Sequence, residues 1–285
     1  MPAPDDRTAV LLLHGFWHGS WCWTEVLARL TAAGVRALAV DMAGHGLRAS
    51  RPAALTRRPF AAEALAAEVS PVADVDLDQA GDLLVAQVKQ LGGGAPVTVV
   101  AHSMGGAVLT RAGQLAPELI AHAVYLTALM PASGVPPAAY VRMPENEGSR
   151  VGALPVGDAR ERGAAHGRRV PGPGVPGGRA RDLLRRRRPG DRRGGDRAAD
   201  PGRSRGHQRG RDRADRGRLG LDPAYLRGVC TRDATIPAAL QRKFIADADA
   251  AFPASPTAGR ELEASHSPFL SMPGQVAGIV LDVLS

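Results

Sequence analysis

Residues 96–106 read PVTVVAHSMGG, and this stretch decides how the rest of the chain is read. Val97–Ala101 is a short β-branched run, the pattern of a buried strand. It ends at Ala101-His102-Ser103-Met104-Gly105-Gly106, after which AVLTRAGQLAPE (107–118) takes up helical spacing. A serine between a buried strand and a helix, with small residues two before and two after it, is the G-x-S-x-G nucleophile elbow, here with Ala101 in the first position. Small residues let strand and helix close on one another around a tight turn. That turn holds the serine in a strained conformation and lifts its hydroxyl above the sheet edge. The flanking elements favour Ser103 as a nucleophile over a plain serine in a glycine-rich turn.

Working outward, apolar runs and amphipathic stretches alternate. TAVLLLHG (8–15) is an apolar strand ending in a Gly loop, and WTEVLARLTAAG (23–34) is a helix closed by Gly34. VRALAVDMAGHG (35–46) is a second strand running into a turn, and LDQAGDLLVAQVKQLGGG (77–94) has helical spacing with a Gly stop. AHAVYLTALMP (121–131) is a buried strand. AYLRGVCTRD (224–233) is a late strand, followed by the helix PAALQRKFIADADAAF (237–252) and the closing helix PGQVAGIVLDVL (273–284). Near-continuous apolar strands separated by helices predict an α/β fold, with a parallel sheet covered on both faces.

The chain has 285 residues, 44% of them hydrophobic and 22% charged, with a net charge of +8. The charge is local. Residues 158–218 hold 20 Arg against 8 acids, so the rest of the chain is net acidic. No stretch approaches the roughly 20 apolar residues of a membrane span. The opening MPAPDDRTAVLLLHG has acids where a signal peptide has a basic region. Only two cysteines are present, Cys22 and Cys230, too few for a disulfide framework. A cytoplasmic, membrane-free protein is expected.

Residues 158–218 stand apart from the rest. Apart from alanine, their only apolar residues are Val170, Val175, Leu183 and Leu184, so as written the segment is expected to be disordered. One reading is an Arg/Gly-type RNA-binding arm, although it has no aromatic for base stacking and no regular repeat. Another is a genuine disordered insert. The preferred reading is a frameshift. The chain has only two Lys, Lys89 and Lys243, and one Asn, Asn146, the composition of a GC-rich gene. Out-of-frame translation of such DNA yields mainly Arg, Gly, Ala and Pro. The codons permitted for Leu183–Arg188, moved by one base, allow Phe-Tyr-Gly-Asp-Val, and the frame is restored near Leu219. Nucleic acid is therefore not the expected partner.

A serine hydroxyl needs a positioned base. Of eight histidines only His266, in ASHSPFLSMP, follows both the elbow and the late strand. His14, His18 and His45 fall in early loops, where they bind backbone or line a pocket. His102 points away from the nucleophile by strand alternation, His122 is placed at a helix end, and His166 and His207 lie in the Arg-rich segment. The acid that orients the base should follow a late strand, in the order Ser, acid, His. Asp233 in VCTRDATIP fits, ahead of Asp222, Asp247 and Asp249. Two backbone N–H groups should meet an oxyanion: that of Met104 after the nucleophile, and that of Phe16 in the loop HGFWHG (14–19). Trp17 is a weaker candidate for substrate contact, and Trp21 and Trp23 lie in the same stretch. No cysteine–histidine metal spacing, Walker loop or dinucleotide fingerprint is present, so no metal and no cofactor is expected.

LLLHGFWHGSWCW, VDMAGHG, VVAHSMGG, TRDATIP and SHSPFLSMP together resemble the α/β-hydrolase superfamily. Within it they are most similar to the plant methylesterase and hydroxynitrile lyase group and its bacterial esterase relatives. The resemblance covers roughly residues 8–155 and 220–285. It implies an eight-stranded, mostly parallel sheet with a helical cap inserted after the strand ending near Met130, and it places nucleophile, acid and base on Ser103, Asp233 and His266. The implied organisation is a core of residues 1–135 and 220–285 around a cap region, 136–219. Lyase members carry Thr after the first-loop His and Lys after the catalytic His. Gly15 and Ser267 stand there in this chain, which favours hydrolysis. The expectation is a serine esterase for a small, fairly apolar carboxylic ester. The alternatives are lyase-type use of the triad, or a basic nucleic-acid-binding arm on an inactive hydrolase fold.

Overall fold

The structure, a computed structural model, describes residues 8–132, 134–135, 137–151 and 225–285. Residues 152–224 lie outside the described residues, and with them the expected disorder of the Arg-rich segment, most of the expected cap region (136–219) and Asp222. Every element named below belongs to one unit.

Six strands form one sheet in the order β2-β1-β3-β4-β5-β6. They are β1 (Val10–Leu13), β2 (Ala37–Val40), β3 (Val97–His102), β4 (Ile120–Leu126), β5 (Tyr225–Cys230) and β6 (Ala258–Leu262). Every pairing is parallel, from Leu13 beside Val40 and Ala101 to Cys230 beside Leu262. Eight strands were expected; six stand among the described residues, and the sheet ends at β2 on one flank and β6 on the other. β2 is half-exposed along most of its length, as an edge strand is. His122 is corrected from a helix end to β4, where it pairs with Thr98. The preceding helix already stops at Leu115, and a single 3-10 turn, Pro117–Leu119, leads straight into the strand.

The period-2 alternation of the central strands is visible in two apolar layers. Leu11, Leu13, Val99, Ala101 and Tyr125 point to one layer, with α3 (Leu77–Gly92), α4 (Gly105–Leu115) and the helix Ala238–Ala251 contributing Leu84, Leu109 and Phe244. Val10, Leu12, Val100, Val124 and Leu126 point to the other, with α1 (Thr24–Ala32) and the closing helix Pro273–Val283. Both faces are covered, so each of these strands reads as a continuous apolar run. Each fully buried Leu or Val contributes about 1.5–3 kcal/mol. The short helices α2 (Ala62–Ala67) and α5 (Pro137–Tyr140) precede the helix Ala238–Ala251, which is α6. Pro268–Ser271 is α7, and the closing helix is α8. The edge strand β6, AGREL, has four exposed residues of five and carries no apolar signal.

The strand order places the functional crevice. The chain leaves β1 for β2 on one side and returns to β3 on the other. In open parallel sheets ligands bind at such a switch point, beyond the carboxyl ends of the strands. Those ends carry the loop His14–Gly19 and Ser103.

The strand-to-helix turn after β3 is built on Gly105 and Gly106. A Cβ at Gly105 would lie 2.5 Å from the His14 carbonyl oxygen, and one at Gly106 would lie 2.2 Å from that of Leu129. Both obstacles are backbone. Gly106→Ala is expected to cost about 1–3 kcal/mol, a fall of several degrees in Tm. The control is Gly278→Ala in α8, where nothing lies within 4 Å of the added carbon; it leaves Tm unchanged or raises it. Equal melting curves for the two variants would refute this account of the turn.

Candidate active site

Ser103 sits between β3 and α4 with φ +52°, a left-handed conformation that non-glycine residues rarely adopt. The turn is held from both sides: Gly106 N–H and Leu129 N–H both donate to the Ser103 carbonyl, at 3.1 and 2.9 Å. The hydroxyl it presents is 3.0 Å from His266 Nε2. The His266 ring, which lies 33 residues beyond Asp233 in the sequence, places Nδ1 2.7 Å from Asp233 Oδ2. A carboxylate only accepts, so Nδ1 carries the hydrogen and the Nε2 lone pair faces Ser103. The structure thus brings Ser103, His266 and Asp233 into one hydrogen-bonded chain.

Asp233 is buried, and its carboxylate is well supplied with donors. Oδ1 accepts from the backbone amides of Thr235 at 2.6 Å and Ile236 at 3.0 Å. Oδ2 accepts from the Thr127 hydroxyl and, at 3.4 Å, from Gln241 Nε2, besides His266. Thr127 follows β4 at φ +39°, with its amide bonded to the Gly228 carbonyl. Gln241 of α6 also bonds both the amide and the carbonyl of Cys230. Sequence reading missed Thr127 and Gln241. The signal available was a lone polar residue inside an apolar run, YLTALM, and a Gln on the buried face of an amphipathic helix.

Phe16 and Met104 belong to the two segments next to the serine, the loop after β1 and the turn into α4. Met104 is the residue before α4, so its N–H belongs to the first turn, where amides have no intrahelical acceptor. The Gly15–Phe16 peptide lies against Ser103: a Cβ at Gly15 would be 2.5 Å from Ser103 Cβ. Its plane is set by His14, whose Nδ1 bonds the Gly15 carbonyl at 2.7 Å. His14 Nε2 accepts from Met42 N–H at 3.1 Å, which fixes the tautomer as Nδ1–H. The carbonyl that His14 holds belongs to the same peptide unit as the Phe16 N–H. Asp41 braces the far end of the loop, accepting from the amides of Ser20 at 2.6 Å and Leu47 at 2.8 Å.

Trp17 follows Phe16 at φ +62° and is 38% exposed. Trp23 belongs to the core, with its ring centroid 4.9 Å from that of Phe269, and Trp21 is exposed against His18. Among the described residues no group of three or more His, Cys, Asp or Glu could hold a metal ion. No helix there is long and apolar enough to cross a membrane.

Burial shifts several groups. It pushes His14 down to about 4, and lowers His45 and, further, the fully enclosed His102. Burial alone would raise the Asp41 carboxyl, but the Ser20 and Leu47 amides outweigh it and hold it below the ordinary value. The histidine shifts make stability acid-sensitive. Above about pH 6.5 these imidazoles are neutral in both states and contribute no pH dependence. As pH falls from 6.5 towards 4, the unfolded chain takes up protons that the fold refuses, so stability falls. His14 alone accounts for a loss of roughly 3 kcal/mol by pH 4. Asp41 acts only lower, where its protonation releases the two amides. Urea unfolding at pH 7.5, 6 and 5 should show the midpoint falling steadily; a flat profile would refute the shifts.

A parallel sheet covered by helices on both faces, with a strained serine at a strand–helix elbow, defines the class as α/β. Comparison takes this one step further. A profile described as "Alpha/beta hydrolase family" matches residues 10–279, and the chain belongs to that family. It is 36% identical over 130 residues to "Probable esterase PIR7A" of Oryza sativa subsp. indica, a match covering 46% of this chain and 42% of the rice protein. It is 30% identical over 132 residues to "Methylesterase 3" of Arabidopsis thaliana, covering 46% and 43%. The chain spans less than half the length of the curated relatives it matches. Among solved structures, a pyrethroid hydrolase from Sphingobium faniae JZ-2 superposes with a TM-score of 0.55, covering 96% of both chains. At 21% identity that likeness speaks for the fold alone.

Proposed function

We propose that the chain is a serine hydrolase that cleaves a small, fairly apolar carboxylic ester through Ser103, His266 and Asp233. One observation carries the reading: the strained serine hydroxyl lies 3.0 Å from an imidazole that a buried carboxylate holds at 2.7 Å. His266 Nε2 takes the hydroxyl proton as Ser103 Oγ bonds the ester carbonyl carbon. The oxyanion is met by the Phe16 and Met104 amides. His266 then gives its proton to the departing alkoxide, and the alcohol leaves. Water, deprotonated by the same nitrogen, attacks the acyl carbon; the acyl–Oγ bond then breaks as His266 returns the proton to Ser103, and the acid leaves. Asp233 stabilises the imidazolium formed in each half-reaction. Trp17 contributes apolar surface beside the oxyanion loop. The printed names of the rice and Arabidopsis relatives support ester chemistry.

Gly15 supports hydrolysis over lyase chemistry. A side chain there would meet Ser103 Cβ at 2.5 Å, so this backbone has no room for a hydroxyl-bearing residue after His14. The division into core (1–135 and 220–285) and cap (136–219) is retained as part of this reading, as is cytoplasmic residence, which rests on Cys22 and Cys230 being buried and free. The test is a p-nitrophenyl ester series together with fluorophosphonate labelling of the intact chain. Turnover with one phosphonate mapped to Ser103 is expected. Mandelonitrile cleavage without ester turnover would replace the reading with a lyase. RNA retention without either activity would replace it with a binding protein.

A further inference from the structure

His102 has no part in the chemistry described above, yet it is fully buried beside both reacting side chains. Its Nε2 lies 2.7 Å from the backbone carbonyl of His266. A carbonyl only accepts, so Nε2 carries the hydrogen. Nδ1 is then an acceptor, and it is buried with no hydrogen-bond partner. It faces the Gly15 position, where a Cβ would come within 3.0 Å. The ring is held on two further sides. Its centroid is 4.6 Å from that of His266 and 4.7 Å, edge-on, from that of Phe269, which packs on Trp23. The 2.7 Å bond joins His102 to the main chain of a residue 164 positions away.

We propose that His102 is the positioning residue of the base, donating Nε2–H to the His266 carbonyl so that the strand carrying Ser103 also sets where the imidazole stands. The proposal rests on the serine hydrolase reading. Its physical content is registration. Asp233 orients the His266 ring through Nδ1, and the loop before His266 is anchored on the β5 side, where Arg232 N–H donates to the Ala264 carbonyl at 3.0 Å. His102 sits one residue before the nucleophile on β3, and ties the His266 backbone to the nucleophile's own strand. The Ser103–His266 distance is then fixed by a short path through one strand rather than by a long path through β5. A misplacement of about 1 Å in such a pair costs on the order of a hundred-fold in rate.

His102→Leu keeps the volume and removes the donor. His102→Gln keeps an N–H at nearly the Nε2 position. With a p-nitrophenyl ester, the Leu variant should lose roughly 10- to 100-fold in kcat, with KM within about twofold, because the substrate contacts are untouched. The Gln variant should recover most of that loss. Isotope-labelled histidine in the unmodified protein should show His102 as the Nε2–H tautomer at pH 7, a readout that stands even if the Leu variant does not fold. Unchanged kcat in a folded Leu variant, equal impairment of both variants, or an Nδ1–H tautomer overturns the proposal. Ser103→Ala run alongside separates the two levels. If it is inactive while His102→Leu is unaffected, only the role of His102 falls. If it retains full turnover, the serine hydrolase reading falls and takes this inference with it.

Discussion

Ser103→Ala is expected to lower ester turnover by about a million-fold, leaving only the residue contributed by binding and the oxyanion donors. The size follows from what the hydroxyl alone supplies. His266 Nε2 stands 3.0 Å from the Ser103 oxygen, and no other hydroxyl is bonded to that nitrogen among the described residues. Without Oγ there is no acyl-enzyme, and the remaining route is direct attack by water. The same variant should lose the fluorophosphonate adduct completely while keeping the wild-type melting curve. Alanine keeps a Cβ, so the packing of Ser103 against Gly15 is preserved, and the cost of holding φ +52° is common to both residues. Persistent labelling would locate the nucleophile elsewhere. Turnover within tenfold of wild type would remove Ser103 from the mechanism.

Asp233→Asn should cost about ten-thousand-fold in kcat, and it should also destabilise the fold. Asp233 accepts at both oxygens from five donors: His266, Thr127, Gln241 and the amides of Thr235 and Ile236. An asparagine has one accepting oxygen and an NH2 group that only donates. If the oxygen stays with the Thr235 and Ile236 amides, the NH2 is turned against His266 Nδ1–H. The imidazole then changes tautomer, placing its hydrogen on Nε2, where it no longer accepts the serine proton. If the amide flips, the buried Ile236 amide and the part-buried Thr235 amide lose their acceptor, at about 1–3 kcal/mol for the buried one. Either way kcat falls far more than KM, and Tm falls by several degrees. A variant with kcat within tenfold of wild type would show that another carboxylate orients His266.

Much of the fold could be read from the chain because its central strands are buried on both faces. Burial on two sides selects an apolar residue at every position, so β1, β3 and β4 announce themselves in VLLL, VTVVAH and IAHAVYL. The strand β6 was not legible for the converse reason. As an edge strand with four exposed residues it is held by backbone pairing to β5, and backbone pairing leaves no mark on side-chain choice. The misplacement of His122 has the same origin, since a polar residue at the edge of an apolar run reads equally well as a helix end.

The residues of the site divide along similar lines. Ser103, Asp233 and His266 are tied to local signals, namely a small-x-Ser-x-small turn, a strand end before a Pro and a late loop, and each signal lies within a few residues of its bearer. The supporting residues have no such mark. Thr127, Gln241, His14, Asp41 and His102 act on groups up to 164 positions away, through hydrogen bonds that exist only once the strands are in register. The sequence by itself determined the alternation of strand and helix, and it carries the local signals and the chain order of Ser103, Asp233 and His266, the three side chains proposed to react, because periodicity and turn chemistry are local properties. Only the tertiary structure decided that a 2.7 Å and a 3.0 Å contact link those three, that Gly15 leaves no room beside the serine, and that His102 bonds the His266 carbonyl from the strand that leads into Ser103. Distances between remote residues depend on how β3, β4 and β5 pack side by side, and that packing is a property of the whole sheet.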